Sequence, residues 1–275
     1  MQPSVIILSF NSADSIAATL ASLAGLTDDI HVVDSGSTDG TIELVRSFGA
    51  SVVHHPFTNY GAQRNWAIDN LVTTHNWQLH LDADERLTSD LRDAILSLPE
   101  ESLFSGYLVP RMLQFMGRVL KHGGMSPTWH MRLFKKGHGR CEAREYDQHF
   151  YCDGTVGKLH HCMIDDIKMS LSEWTFRHNR WSDAEVRELT QTDTSGRIQG
   201  KISGHEIEKK RSLRAYYGRF PLFVRPVLLF IYRFVIRAGF LDGTEGLIFW
   251  VLQTFWFRFL VDAKLYEQKR NRLRA

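Results

Sequence analysis

Apolar and polar positions alternate regularly through the first half of the chain. Short runs rich in Val, Ile and Leu occupy positions 4–9, 30–34, 51–55 and 77–81. Between them, apolar residues recur every three or four positions, as in Ile16, Leu20 and Leu23. The runs predict buried strands, and the spaced segments predict amphipathic helices. This alternation predicts an α/β protein with a doubly wound, mostly parallel sheet.

Polar and glycine residues mark the expected limits of these helices. Asn11 and Ser12 precede the first helical segment and are suitable N-caps. Gly49 follows the second helical segment and suits its end. A third helix is predicted over positions 60–71, directly before the fourth strand.

Acidic residues crowd the end of the fourth predicted strand. Asp82, Asp84 and Glu85 fall within four positions, and such charges repel unless water or a cation offsets them. In an extended segment Asp82 and Asp84 point to the same side, and carboxylate oxygens suit Mg²⁺ or Mn²⁺. Asp34 and Asp39 lie in an acidic turn after the second strand, which should reach the same edge of the sheet. We therefore expect a divalent cation there; an acidic turn capping the next helix is the alternative.

The last third of the chain has a different character. Its longest charge-free apolar run, positions 246–257, would cover about 18 Å as a helix, whereas a hydrocarbon core is about 30 Å thick. We expect two apolar helices, joined by a turn at 239–243, that lie in a membrane interface from about position 220. Their arginines at 225, 233, 237 and 258 and the basic tail would contact anionic lipid. A helical hairpin packed on the core or on a partner subunit is the alternative.

Overall composition limits which cellular compartment and which classes of partner are expected. The net charge of +2 is too balanced to suggest nucleic acid. The three cysteines show no zinc or redox spacing, which favours a reducing cytosol. The first residues include no basic stretch and no small-residue cleavage site, so no secretory signal is expected.

Four stretches together resemble a known family. "SVIILSFNS", "HVVDSGSTDGT", "GAQRN" and "LDADE", in this order, are similar to family 2 glycosyltransferases of the GT-A fold. The resemblance covers about the first 160 residues and implies inverting transfer from a nucleotide-diphosphate sugar, usually a UDP-sugar. The subgroup resembled builds bacterial lipopolysaccharide core and exopolysaccharide. We accordingly expect a catalytic domain over 1–165, a helical region over 166–275, and a peripheral or monotopic location at the cytoplasmic face of the inner membrane.

The resemblance also assigns roles to individual residues. Asp84 would be the main metal ligand, and Asp82 would contact ribose or metal. The family often has a second aspartate where this chain has Ser35, so uracil selectivity depends on a serine hydroxyl here. Arg132 would face the diphosphate, or would form a structural ion pair. The remaining donor residues implied are Phe10 and Asn11 at base and ribose, Asp34 and Asp39 at the uridine, and Gly61, Arg64 and Asn65 at the diphosphate.

An inverting transfer also needs a base for the acceptor hydroxyl. Asp147 is the residue we expect in this role, with Glu145 or Asp153 as alternatives and His149 orienting the acceptor or binding a phosphate. Glu142, like Glu145, is expected to be a surface charge. His160 and His161 are candidates for a third metal ligand, although a structural or exposed role is favoured for both.

Other functions fit the pattern less well. A nucleotidyltransferase would need a glycine-rich, basic first loop, and a dehydrogenase would need G-x-G-x-x-G; this chain has neither after its first strand. A non-catalytic membrane scaffold is the remaining alternative. The acidic residues at both strand ends argue against it.

Overall fold

The computed structural model describes residues 1–142, 147–191, 201 and 206–274. The chain forms two compact units. The first consists of residues 1–114, 127–143 and 148–168, and the second of residues 115–126, 144–147 and 169–275. The domain boundary near residue 165 stays a prediction about independent folding.

The first unit alternates strands and helices and then continues with strands alone. In chain order its elements are β1 (Ser4–Ser9), α1 (Ala13–Ser22), β2 (Ile30–Asp34), α2 (Thr41–Ser47), β3 (Ser51–His54), α3 (Tyr60–Asn70), β4 (Trp77–Asp82), β5 (Glu85–Leu87), α4 (Ser89–Leu96) and β6 (Gly106–Phe115). After β7 (Arg118–Leu120), which falls in the second unit, come β8 (Thr128–Lys135), β9 (Gly139–Cys141), β10 (Phe150–Cys152), β11 (Val156–Lys158) and β12 (Met163–Ile167).

The sheet of this unit is parallel on one side and mixed on the other. Its order is β3-β2-β1-β4-β8-β6-β12-β5, and the first four strands run parallel. β8 then enters antiparallel to both β4 and β6. The predicted α/β class with a mostly parallel sheet and a helical C-terminal region is confirmed. The antiparallel entry of β8 depends on pairing between distant segments and has no local signal.

Burial explains why these segments form strands. Val5, Ile7, Val32 and Leu79 are at most 1% exposed and belong to one apolar cluster beneath the sheet. Strands covered on both faces become continuous apolar runs, which is the pattern seen in the sequence.

The predicted cap of α1 is wrong in its detail. Ser12 precedes the helix but makes no side-chain cap; its hydroxyl instead donates to the Phe10 carbonyl at 3.1 Å. Asn11 accepts a hydrogen bond from the Thr38 amide, because its backbone turns away in a left-handed conformation with φ 46°. Gly49 follows α2 with φ 78°, as expected for a residue that ends a helix.

The second unit is helical. Its helices are α5 (Leu171–Thr190), α6 (Glu206–Tyr217), α7 (Val224–Ile231), α8 (Gly243–Trp250) and α9 (Phe257–Arg272). A π-helical turn, Tyr232–Ile236, extends α7, and another, Val251–Trp256, joins α8 to α9. The turn predicted at 239–243 is a 3-10 turn, Gly239–Asp242.

Helix α5 packs against α9 through an aromatic cluster. The His178 ring stacks on Trp174 with centroids 3.4 Å apart, and Trp174 lies 6.2 Å from Trp256. His178 Nε2 also hydrogen-bonds the Gln253 side chain at 3.0 Å. These partners all belong to the second unit.

One helical run among the described residues, Gly239–Arg272, is long and apolar enough to cross a membrane by length and composition. Of its most apolar window, 39% is buried inside the protein, and core helices of soluble proteins pass the same test. The run of 34 residues is longer than the charge-free stretch suggested, because the helix continues past Arg258.

The arginines expected to reach lipid headgroups mostly have internal partners instead. Arg225 is buried and pairs with Asp262, with its Nε 2.8 Å from the carboxylate. Arg233 donates to the Gly123 carbonyl at 2.9 Å, and Arg258 pairs with Glu185 at 2.8 Å. Three of the four arginines expected at the lipid surface thus have partners within the second unit, because buried charges need partners, whereas Arg237 is exposed.

Candidate functional site

Asp34, at the carboxyl end of β2, organises the turn that follows it. Its side chain is 1% exposed and accepts hydrogen bonds from the Gly36 amide, the Ser37 amide and hydroxyl, and the Ser9 hydroxyl, at 2.5–2.9 Å. Burial alone would raise the pKa of Asp34, but the bonds from Ser37, Ser9 and Gly36 outweigh it and lower that pKa. The buried carboxylate therefore fixes the conformation of the turn through these hydrogen bonds.

Asn11 and Asp39 join the loops after β1 and β2. The Asn11 amide donates to the Ser37 hydroxyl at 2.8 Å, and its side chain accepts from Thr38 at 2.8 Å. Asp39 accepts from the Ala13 amide at 3.0 Å, at the start of α1. Both residues remain exposed, so the crossed loops form an open polar surface beside Asp34.

Ser35 is linked to two residues that were not anticipated. Its hydroxyl accepts a hydrogen bond from the Gln63 side chain at 3.2 Å, and Gln63 also bonds the His55 ring at 2.7 Å. The His55 ring stacks on Trp66 at 4.1 Å. Phe10, in contrast, is 59% exposed. Gln63 lies within the stretch "GAQRN" but was assigned no role there, and no sequence signal pointed to His55.

Asp82, at the end of β4, is held by two arginines. Arg64 Nη2 lies 2.8 and 3.0 Å from its two carboxylate oxygens, and Arg132 Nη2 lies 3.0 Å from one of them. Burial alone would raise the pKa of Asp82, but the charges of Arg64 and Arg132 lower it. Arginine side chains therefore supply the positive charge that the crowded carboxylates require.

Glu85 completes this buried network and was not among the predicted site residues. It is 0% exposed, accepts from Arg132 at 2.5 Å and from the Asp82 amide at 3.0 Å. Burial, the largest cause, raises the pKa of Glu85. The Arg132 side chain thus forms the structural ion pair that was the alternative to a diphosphate contact.

Asp84 differs from both of its acidic neighbours. It lies half-exposed in the turn between β4 and β5, a turn whose Ala83 carbonyl is fixed by the Thr19 hydroxyl at 2.8 Å. Within the described ranges no three His, Cys, Asp or Glu side chains gather as a metal-binding set. Mg²⁺ needs less from a protein: one or two carboxylates plus substrate phosphates usually suffice. The donor set at this turn fits such a cation through Asp84.

Asn65 has a structural contact rather than an open one. Its side-chain amide donates to the Cys141 carbonyl at 3.0 Å and its oxygen accepts from the Cys141 amide at 2.9 Å. The neighbouring Arg64 guanidinium lies 5.1 Å from the Phe150 ring. Both polar groups of Asn65 are therefore engaged by the backbone of β9.

Asp147 lies in the second unit, within a group of basic residues on α6. Its carboxylate accepts from Lys210 at 3.1 Å, Arg211 at 2.8 Å and Arg214 at 2.6 Å, and its own φ is 54°. Both carboxylate oxygens are therefore already engaged. The alternative base Glu145 lies outside the described residues.

Glu142 and His149 are buried, so the expectation of a surface charge at 142 is wrong. Glu142 is 0% exposed, and its buried carboxylate is satisfied by a hydrogen bond that it accepts from the His149 amide at 2.8 Å. The His149 ring lies 5.5 Å from that of His130. His160 and His161 are exposed, and His160 makes an edge contact with Trp129 at 6.5 Å.

The strand register shows which predicted residues come together. Ser9 lies beside Asp34, and Leu8 lies beside Asp82, so both aspartates flank the end of β1. The first unit thus brings Phe10, Asn11, Asp34, Ser35, Asp39, Arg64, Asp82, Asp84 and Arg132 to the carboxyl edge of its parallel strands. Ligands bind at this edge in open α/β sheets.

Comparison with known proteins identifies the family. The family model described as "Glycosyl transferase family 2" matches residues 4–157. This chain belongs to that family. The glycosyltransferase RP128 of Rickettsia prowazekii is 32% identical over 273 residues, which are 95% of this chain and 86% of the relative. The lipopolysaccharide core biosynthesis glycosyltransferase LpsC of Rhizobium meliloti is 24% identical over 255 residues, 90% of this chain and 85% of LpsC.

Family 2 membership makes the protein a glycosyltransferase. Among solved structures, S. aureus TarS 1-349 in complex with UDP-GlcNAc is similar with a TM-score of 0.47 and 13% identity, covering 98% of this chain and 92% of that one. The family match covers β1 to β11 and therefore includes the edge with Asp34, Asp82 and Asp84.

Proposed function

We propose that this family 2 glycosyltransferase moves a sugar, with inversion, from a UDP-sugar to a lipid-linked or cell-surface glycan acceptor. The observation that carries the proposal is the carboxyl edge of the parallel strands, where Asp34, Asp82 and Asp84 meet in a family 2 sheet. The relation to LpsC supports lipopolysaccharide or a related polysaccharide as the product class.

The nucleotide lies on the crossed loops after β1 and β2. The exposed Phe10 ring offers an apolar face to the base, and Asn11 and Asp39 border the ribose. Ser35 contacts the uracil edge, and Gln63 fixes its hydroxyl from behind. Asp34 keeps the turn in shape without needing to touch the ligand.

Asp84 would hold Mg²⁺ or Mn²⁺ together with the donor diphosphate. When bound, the cation offsets the negative charge that builds on the departing nucleoside diphosphate. Asp82 would contact the ribose or the cation through the oxygen lone pairs that its hydrogen bonds to Arg64 and Arg132 leave unused. These arginines act on the donor through Asp82, since their charge is already committed to it and to Glu85.

Asp147 takes the proton of the attacking acceptor hydroxyl. The acceptor oxygen then bonds to the anomeric carbon as the bond to the nucleotide breaks on the opposite side, which inverts the configuration. Because Lys210, Arg211 and Arg214 already occupy its carboxylate, Asp147 has to exchange at least one of these bonds for the acceptor hydroxyl.

The second unit attaches the enzyme to the cytoplasmic face of the inner membrane. Val224, Val227, Leu228, Ile231 and Val235 recur at helical spacing along α7 and its π-helical turn, each 41–55% exposed. A half-exposed apolar face of this kind is typical of interfacial helices. Exposed cations of the tail add attraction to anionic lipid; they include Lys269, Arg270 and Arg272.

Release of UDP from a UDP-sugar tests the proposal. We expect release to require Mg²⁺ or Mn²⁺ and to increase when acceptor-bearing membranes of the source cell are added. A nucleotidyltransferase would release pyrophosphate from a nucleoside triphosphate, and a scaffold would release nothing. Absence of any UDP release across a donor panel, with cation and membranes present, would contradict the proposal.

A further inference from the structure

Asp242, in the turn between the two apolar helices, anchors a distant loop. It is 2% exposed, and its carboxylate accepts the amides of Lys121 and His122 at 3.1 and 3.0 Å. It also bonds His122 Nδ1 at 2.8 Å. One buried carboxylate therefore fixes the backbone and the ring of the same residue.

The glycines after His122 press this loop onto the helices. A Cβ on Gly123 would lie 2.1 Å from the Trp250 ring, and Gly123 and Gly124 have φ of 76° and 74°. The Gly123 amide donates to the Arg237 carbonyl and its carbonyl accepts from Arg233, both at 2.9 Å. The loop is thus a fixed turn.

The stretch "GFLDGTEG" is built around this anchor. A Cβ on Gly246 would lie 2.5 Å from Asp242 Cβ, and one on Gly239 would lie 2.8 Å from the Arg233 carbonyl and from Trp250 Nε1. Both glycines let the backbone close around Asp242. This backbone conformation therefore requires glycine at both positions. It places Asp242 where its carboxylate fixes the orientation of the His122 ring.

The His122 ring is presented outward. Asp242 accepts the Nδ1 proton, and among the described residues no hydrogen bond is formed to the other ring nitrogen, Nε2. The side chain is 39% exposed. Lys121 is exposed next to it, and Arg118 and Arg237 lie against the same turn, near Gly243 and Gly124 respectively. Lys121, Arg118 and Arg237 thus lie on or against the turn that carries this imidazole, with Glu245 3.6 Å from Arg118 as the acidic neighbour.

Apolar side chains border the same cations. Ile236, Phe240 and Leu241 are 69%, 51% and 53% exposed. A free anion in water gains nothing from such neighbours, whereas a phosphate attached to acyl or prenyl chains contacts both kinds of surface. Charge complementarity and the adjoining apolar surface together select an amphipathic phosphate.

We propose that the phosphate group of a membrane lipid accepts hydrogen bonds here from the Lys121 ammonium and from Nε2–H of a His122 imidazolium, whose Nδ1–H stays on Asp242. If the proposed function holds, that lipid is the carrier of the glycan acceptor, and the site holds it in the enzyme's membrane-facing unit. His122 is then a binding residue and Asp242 a positioning residue that sets its ring.

The test uses the full-length protein without any donor sugar. Binding is measured to phosphatidylcholine vesicles that contain either phosphatidic acid, a lipid phosphomonoester, or phosphatidylglycerol matched in surface charge. His122→Asn is the main variant, because its amide replaces Nδ1–H toward Asp242 but offers no Nε2. His161→Ala, at an exposed histidine of the first unit, is the control.

We expect phosphatidic acid vesicles to bind wild type and His161→Ala alike, and His122→Asn about tenfold more weakly, the usual loss for one charge-assisted hydrogen bond. Phosphatidylglycerol, whose phosphodiester also accepts hydrogen bonds but carries a single charge, should lose affinity in the same direction by a smaller factor. Unchanged affinity of His122→Asn for phosphatidic acid would overturn the proposal. So would inorganic phosphate that shifts the His122 Nε2 NMR signal as strongly as the lipid does. UDP release without acceptor is measured separately, so failure here and failure of the proposed function are distinguishable.

Discussion

At the scale of single residues, Asp82 and Asp84 are two positions apart but have different surroundings. Asp82 is held by Arg64 and Arg132, whereas Asp84 lies half-exposed in the following turn. Substitution with asparagine, which preserves shape and removes charge, should therefore have different effects at the two positions.

Asp84→Asn should abolish metal-dependent transfer and leave folding intact, because the cation loses its charged ligand. UDP release is measured across a Mn²⁺ titration, with thermal unfolding as the check on folding. Near-normal turnover at limiting Mn²⁺ would show that Asp84 is not the metal ligand.

Asp82→Asn should instead reduce stability. The change leaves the buried Arg64 and Arg132 charges without a full counter-charge, which we expect to lower the free energy of unfolding by about 2–3 kcal/mol. Urea denaturation of wild type and both asparagine variants makes the comparison. Equal stability of the two variants would mean that the arginines are satisfied without Asp82.

Asp147→Asn should reduce turnover by about two to four orders of magnitude, the usual worth of a general base. The Kd for the donor should barely change, since the base acts on the acceptor. Turnover, donor Kd and Tm are measured together. A lower Tm with unchanged turnover would indicate that Asp147 only secures Lys210, Arg211 and Arg214 on α6.

Residues at strand ends were predictable, but their partners were not. Asp34 and Asp82 follow apolar runs, and the sheet then places them at one edge. Asn65, in contrast, forms a hydrogen bond with Cys141, which is 76 positions away. The buried Glu85 accepts a hydrogen bond from Arg132, which is 47 positions away. Such contacts exist only after the chain has folded, so a local pattern does not reveal them.

At the scale of elements, the packing of α5 on α9 makes a histidine sensitive to acid. Burial, the largest cause, lowers the pKa of His178 to about 4. The unfolded chain binds this proton below about pH 6.5, whereas the folded protein does not until about pH 4. Stability should therefore decline as the pH falls through this window.

The expected loss from this one histidine is about 1–1.5 kcal/mol between pH 7.5 and 5.5. Urea denaturation at both pH values, for wild type and His178→Gln, isolates its share, because other groups contribute equally to both proteins. An identical decline in the variant would mean that His178 is protonated in the folded state.

Periodicity predicted the early elements better than the late ones. The alternation from β1 to β4 follows from burial on both faces of parallel strands. β8 joins β4 by non-local antiparallel pairing, and the charge-free run at 246–257 understated a helix that continues through Arg258. A charged residue interrupts an apolar run in the sequence, but it does not end the helix when it has an ion-pair partner, as Arg258 has in Glu185.

At the scale of the whole molecule, the exposed apolar face on α7 should bind the enzyme to membranes. Truncation before residue 220 would also uncover the buried face of α5, so point changes are sharper. Val227→Ser with Val235→Ser should reduce flotation with anionic vesicles. Leu103→Ser, at a side chain that is 94% exposed in the first unit, is the matched control.

Salt should remove only part of the wild-type protein from vesicles, because apolar burial survives screening. Full-length protein that never floats would favour a hairpin covered by a partner subunit. Protease added to inner-membrane vesicles of known orientation checks topology: a C-terminal fragment protected by the bilayer would show that Gly239–Arg272 crosses it.

The π-helical turn Val251–Trp256 determines how the last helix would respond to the loss of one residue. A π turn accommodates one residue more than an α turn, and each residue of a helix rotates the following side chains by about 100°. Asp262 and Leu265 of α9 point inward only with this phase. A homologue one residue shorter here must turn another face of its last helix toward α5. A single gap in an alignment at this stretch would therefore mark a lineage whose C-terminal helices have repacked.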